Sequence, residues 1–179
     1  MGLSISKEIG FAMKVSVLVV DDSALMRSLI GQIVEKTPGL VLADKAMNGR
    51  FALEKIPHCN PDVIVLDIEM PEMNGIEFLK ERKRLGIKIP VIILSSLAKE
   101  GAKVTMECLN LGASDFITKP GGSSSEDIQV VGKHLGTLLL AYGSQYQIKK
   151  RINGENKTTL TATASQTVES TENTVATNI

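Results

Sequence analysis

Asp21-Asp22, Asp67, Ser95 and Lys119 are the side chains in this sequence best suited to chemistry, and each closes a separate apolar run. Carboxylates, a hydroxyl and an ammonium gathered in one crevice would make a site for a cation and an anionic group. Three carboxylates together repel strongly, and their burial is costly without positive charge. A hard dication such as Mg²⁺ relieves that repulsion, because it favours oxygen ligands and usually takes one or two carboxylates plus phosphate. Lys119 supplies a fixed positive charge, and Ser95 a hydroxyl that can donate to an anionic oxygen. Taken singly, each residue has a plainer reading. Asp21 and Asp22 suit the N-terminus of a following helix, Asp67 an ordinary loop, and Lys119-Pro120 a turn.

Whether these groups meet depends on the elements that carry them. The apolar runs are VSVLVV (15–20), LVLADKA (40–46), DVIVLD (62–67), PVIILSS (90–96) and SDFITKP (114–120). Near-continuous Val/Ile/Leu runs suit strands buried on both faces of a parallel sheet. Helix-length segments separate them. Ser23 is placed to cap ALMRSLIGQIVEK, whose apolar stripe is Leu25, Leu29 and Ile33 with Ile30 and Val34, and Pro38-Gly39 stops it. Asn48-Gly49 opens a short helix through Ile56 that Pro57 ends, and Asn74-Gly75 precedes IEFLKERKRL, with Ile76, Phe78 and Leu79 inward. GAKVTMECLNL stops at Gly112, and a last helix is expected from Ser125 to about Lys149. Repeated β-then-α units predict right-handed crossovers and an α/β, doubly wound sheet. The site of such a sheet lies beyond the carboxyl ends of its strands, where all of these residues fall.

Four spaced motifs carry a family resemblance: VLVVDDS (17–23), DVIVLDIEMPEMNG (62–75), ILSS (93–96) and GASDFITKP (112–120). Together they resemble the receiver domain of two-component response regulators, over about Lys14 to Lys150. The resemblance implies a flavodoxin-like receiver fold: a five-stranded parallel sheet of order 2-1-3-4-5 with five helices. It implies that Asp67 is the phosphoacceptor, taking a phosphoryl group from a histidine kinase. Asp21, Asp22, Asp67 and the backbone carbonyl of Glu69 would hold Mg²⁺, while Lys119 would contact the phosphoryl oxygens. Ser95 would bond a phosphoryl oxygen, and Phe116 stands where the family has its switch aromatic. A core role for Phe116 is the plainer alternative. VLVVDDSALMR, EMPEMNGIEFL and LSSLAKEGAKVTMECLNLGASDFITKP are most similar to the receivers of chemotaxis protein-glutamate methylesterases. Chemotaxis effector or receptor proteins are the further partners this implies. A stand-alone receiver acting as phosphate sink or interaction switch, and an unphosphorylated α/β interaction module, are the competing readings.

The rest of the chain narrows the function. Lys+Arg and Asp+Glu are equal at 20 each, which argues against a generally nucleic-acid-binding surface. Lys149-Lys150-Arg151 is a basic cluster, but no helix-turn-helix length follows it. No apolar run approaches the ~18 residues of a membrane span. Cys59 and Cys108 form neither a disulfide framework nor a metal set, and suit a reducing cytoplasm. No G-x-S-x-G or G-x-x-x-x-G-K-[ST] occurs, and His58 and His134 read as surface residues. The effector that follows such receivers in the methylesterases needs a Ser-His-Asp triad, which is not expected here. Residues 1–13 read as a flexible extension, although Gly2 and Ser6 formally match an acylation pattern. Residues 151–179 are expected to be a disordered tail or linker, since half of Gly154–Ile179 is Ser, Thr or Asn.

Overall fold

The computed structural model describes residues 13–96, 101–119 and 125–168. The N-terminal extension, the segment before the fourth helix and the Gly121–Ser124 loop read from the sequence lie outside the described residues, save Met13 and Ser95-Ser96.

The five apolar runs form parallel strands: β1 (Val15–Val20), β2 (Leu40–Ala46), β3 (Val63–Leu66), β4 (Val91–Ser95) and β5 (Asp115–Thr118). Their order is β2-β1-β3-β4-β5, as expected. The helices are α1 (Ala24–Lys36), α2 (Gly49–Cys59), α3 (Gly75–Arg84), α4 (Gly101–Asn110) and α5 (Ser125–Val168). Alternate strand residues feed two cores, as the two-residue period of a strand requires. Leu18, Val20, Ile64, Leu66 and Ile93 pack with Ala52, Phe78, Leu79 and Cys108 of α2, α3 and α4. Val17, Val19, Val65, Ile92 and Leu94 pack with Ile30 and Val34 of α1 and with Leu135 and Leu139 of α5. The central strands are therefore apolar on both faces. The edge strands β2 and β5 are only partly buried, and β2 carries a register shift opposite Val17/Leu18.

Caps set the helix starts. The Ser23 hydroxyl accepts the Met26 N–H at 3.3 Å. The Asn48 side chain accepts the Phe51 N–H at 3.0 Å. Asn74 and Glu77 form a reciprocal capping box at the head of α3. Gly112 adopts φ 93°, the left-handed turn that follows α4.

Three expectations are corrected. Pro57 does not end α2, which continues to Cys59 with the proline inside it. In the last turn the proline forfeits only one hydrogen bond, and the stop is Asn60, in a left-handed cap at φ 43° whose N–H reaches the Ile56 carbonyl at 2.9 Å. Leu25 is 77% exposed and does not belong to the α1 stripe. That stripe runs through Met26, Ile30 and Val34, spaced four apart, with Leu29 and Ile33 half-buried beside it. Finally, α5 passes Lys149 and runs to Val168, so the first part of the expected tail is helical. No proline follows Pro120, and a single Gly154 costs a helix only about 1 kcal/mol. Residues 169–179 lie outside the described residues. Among the described residues no helix is long and apolar enough to cross a membrane.

The strands' amino ends are clamped by Asp62. Its carboxylate is buried and accepts the Ser16 N–H and Oγ–H, both at 2.9 Å, and Gln147 Nε2 of α5 at 2.8 Å. Hydrogen bonds to a charged acceptor contribute about 1.5–3 kcal/mol. Asp62→Ala is expected to lower unfolding stability by about 2 kcal/mol in urea titration, with the strand-end site unchanged.

Candidate phosphoacceptor site

The chemistry-bearing residues converge where the sheet topology requires. Asp21 follows β1 and is anchored by its N–H to the Ala46 carbonyl at 3.1 Å. Asp67 follows β3 and donates its N–H to the Val20 carbonyl at 2.9 Å. Ser95 is the last residue of β4, and the Lys119 N–H bonds its carbonyl at 2.9 Å. Four strand ends thus deliver four side chains into one crevice.

Lys119 sits between the two buried carboxylates. Its Nζ lies 2.6 Å from Asp21 Oδ2 and 3.0 Å from Asp67 Oδ2. The other oxygen of each carboxylate is held by the backbone. Asp21 Oδ1 accepts the Ser23 N–H at 2.9 Å, and Asp67 Oδ1 accepts the Ile68 N–H at 2.8 Å. Asp22 is exposed at the rim, and carboxylate oxygens of Asp21, Asp22 and Asp67 lie within 4.8 Å of one another. Burial pushes the Asp67 carboxyl up; Lys119 opposes this without cancelling it, and Asp21 adds to it. Burial also works against the Lys119 charge, but the pairs with Asp21 and Asp67 outweigh it and hold the ammonium above its usual value.

Three carboxylates facing one ammonium leave an excess of negative charge in a mostly buried crevice. That imbalance, with oxygen-only donors open at the Asp22 rim, fits a hard dication such as Mg²⁺. Glu69, whose carbonyl was expected to join the set, lies two residues beyond Asp67 with its side chain exposed. The Ser95 side chain is fully buried, and its Oγ has no hydrogen-bond partner among the described residues. An unpaired buried hydroxyl costs about 1–3 kcal/mol, so a partner is expected to arrive during function. Ser95→Ala should therefore leave stability unchanged or raise it by up to about 1 kcal/mol in thermal melts, while weakening the response to phosphoryl analogues. Phe116 is half-buried, opposite Ile93 in the sheet, and packs against the core that contains Phe78 and Cys108. His58 and His134 are both exposed, on α2 and α5.

Two supporting residues escaped the sequence reading. Arg27 Nη1 donates to the carbonyls of Asp21 at 2.7 Å and Asp22 at 2.9 Å, bracing the acidic pair from α1. A cation near a helix N-terminus is unfavourable for the helix dipole, and that was the available signal. Gly75 packs directly against the backbone behind Asp67, and its N–H bonds the Ile68 carbonyl at 2.9 Å. A Cβ at Gly75 would overlap the Asp67 carbonyl oxygen and lie 2.9 Å from the Ile68 Cα.

The fold and this strand-end constellation define a receiver. The family model for the response regulator receiver domain matches residues 17–129, and the chain belongs to that family. Within it, the likeness is to the chemotaxis protein-glutamate methylesterases. A protein-glutamate methylesterase/protein-glutamine glutaminase of Treponema denticola is 62% identical over 157 residues, covering 88% of this chain and 41% of that protein. The response regulator domain of Thermotoga maritima CheB superposes with a TM-score of 0.66 at 43% identity, covering 73% of this chain and 97% of that one. A chain of the CheX–CheY–BeF₃–Mg complex of Borrelia burgdorferi gives a TM-score of 0.57 at 32% identity, covering 69% and 89%. This chain thus spans about two fifths of the Treponema denticola relative's length.

Proposed function

We propose that this domain is a Mg²⁺-dependent phosphoacceptor switch in chemotaxis signalling, acting in the cytoplasm, with Asp67 as the acceptor. The observation that carries the reading is the triangle of Asp21, Lys119 and Asp67, beside a β4 end whose Ser95 hydroxyl is buried and without a partner among the described residues. A carboxylate oxygen of Asp67 attacks the phosphorus of a kinase phosphohistidine. The new O–P bond forms as the N–P bond breaks, and the imidazole nitrogen leaves with the bonding pair. Asp21, Asp22 and Asp67, with the Glu69 carbonyl, would hold Mg²⁺. When bound, the dication offsets the charge that carboxylate and phosphoryl group bring together.

The residues of this chain do the remaining work. The Ile68 N–H holds one Asp67 oxygen, so the carboxylate is oriented before a donor arrives. Lys119 is released from Asp67 as the phosphoryl group forms and turns to its oxygens. Ser95 gains in the phosphoryl group the acceptor that it lacks. Its movement frees space beside Phe116, which links the crevice to the outer surface of β5, where a partner reads the state. The partners are a histidine kinase and chemotaxis effector or receptor proteins. Esterase chemistry is not assigned to this domain: His58 and His134 are exposed on α2 and α5.

The reading is tested with phosphoramidate as donor, in Mg²⁺ and in EDTA. The expected result is a labile phosphoryl adduct formed only with the metal. Equal incorporation in EDTA would remove the metal from the account.

A further inference from the structure

The end of the sheet opposite the acidic crevice carries a cleft of about 690 Å³ between the end of α3, the strand entries at Pro90 and Ser114, and α5. Its cations are Arg82, Lys88, Lys149 and Lys150, and its walls include Tyr142 and Tyr146. A second cleft of about 250 Å³ adjoins it, shares Arg82 and Lys88, and adds Lys83. No carboxylate pairs with any of these five cations among the described residues. The nearby acidic groups are already engaged: Asp62 with Ser16 and Gln147, and Asp115 with the Tyr142 hydroxyl. Lys150 bonds the Asn60 side-chain oxygen at 2.9 Å, which leaves its charge in place; five cations without a carboxylate on one end of a chain with no net charge are a concentrated patch, not a background.

Arg82 is the floor of both clefts. Arg82 as a whole is 8% exposed, and its guanidinium bonds go only to backbone carbonyls, Ile89 from Nε (3.0 Å) and Nη2 (2.6 Å) and Gly112 from Nη1 (3.3 Å). Three of its five N–H groups are thereby used, and two remain. A buried guanidinium paired only with carbonyls keeps its full charge, and an incoming carboxylate would neutralise it.

We propose that this underside is a docking groove for an acidic polypeptide segment of a partner protein, independent of Asp67. The two clefts run on across Arg82 and Lys88, which suits an extended occupant over a compact phosphate. The lysines stand exposed around the rim and do not converge on one point. Tyrosine and proline walls suit apolar side chains interspersed among the acidic ones. The neutral chain and its scarce aromatics suit a nucleic acid poorly.

The test uses the full chain and a fluorescein-labelled peptide of about a dozen residues, rich in Glu with one aromatic. Binding is expected at low salt and should weaken as salt rises. The Lys88→Glu/Lys149→Glu/Lys150→Glu variant, checked for folding by circular dichroism, should lose about tenfold or more in affinity, whereas Asp67→Asn should bind like wild type. In NMR, the Tyr142 and Tyr146 ring signals should shift and the Ile68 amide should not. Unchanged affinity in the triple variant, no binding at low salt, or shifts centred on Ile68 would each overturn the proposal. So would displacement of the peptide by tripolyphosphate or oligothymidylate at lower concentration than by unlabelled peptide, which would make the groove a small-anion or nucleic-acid site.

Discussion

Lys119→Ala is expected to cost about 3 kcal/mol of stability at neutral pH and to abolish phosphoryl transfer to Asp67. Among the described residues the ammonium is the only cation paired with the carboxylates of Asp21 and Asp67, and both carboxylates are almost fully buried. Removing it leaves two facing anions without compensation. The protein can relieve the strain by protonating Asp67, whose carboxyl burial already pushes up. The sign of the pH dependence follows. A carboxyl raised on folding binds its proton more readily in the folded state, so stability falls as pH rises through the window above its ordinary value. In the variant that window widens, and the loss should shrink at pH 5 and grow at pH 8. In the wild type, Lys119 contributes stability that is present below its ordinary pKa and is lost as pH rises through its raised folded value. Urea titration at two pH values checks this, and Lys119→Ala/Asp67→Asn should recover most of the stability without recovering transfer. An equal loss at both pH values would show that the ion pair is not its source.

Gly75→Ala should have the second largest effect, through a residue with no chemistry of its own. The added Cβ meets backbone at Asp67 and Ile68, which cannot swing aside as a side-chain tip would. Overpacking of this kind costs about 1–3 kcal/mol. The displacement falls on Asp67, the proposed acceptor, and a 1 Å misplacement of a reacting group can cost about a hundredfold in rate. Adduct formation from phosphoramidate should therefore slow by about that factor while Mg²⁺ binding is largely kept. Gly101→Ala, at the start of α4 with no atom of the described residues within 4 Å of the added carbon, is the control and should change neither quantity. A normal rate in Gly75→Ala would mean that Asp67 is not held from behind.

The legible part of this protein was the part written locally. The runs VSVLVV and DVIVLD need two apolar faces, so they announced a covered parallel sheet and, with it, the strand ends at which Asp21 and Asp67 meet. Ser23, Asn48 and Asn74 cap because their side chains reach N–H groups three residues ahead. Other features depended on tertiary context. Whether Pro57 stops a helix or rides in its last turn is decided by Asn60 beyond it. Leu25 shares a helical spacing with Leu29, and only the angle at which α1 meets the sheet turns it outward. In the sequence Gly75 only precedes a helix, and its close approach to Asp67 exists only once α3 docks behind β3. The underside cleft draws Arg82 and Lys88 from one region and Lys149 and Lys150 from another, about sixty residues away in sequence. In the sequence Lys149-Lys150-Arg151 is only a basic cluster that no helix-turn-helix length follows.

The central claim is that Asp67, and no other carboxylate of the crevice, accepts the phosphoryl group. An acyl phosphate is reduced by borohydride to the alcohol, which turns the modified aspartate into homoserine. Peptide mass spectrometry after phosphorylation in Mg²⁺ and borohydride reduction should place homoserine at position 67 alone, with none in Asp67→Asn. Homoserine at position 21 or 22 in the wild type, or undiminished labelling of Asp67→Asn, would contradict the account.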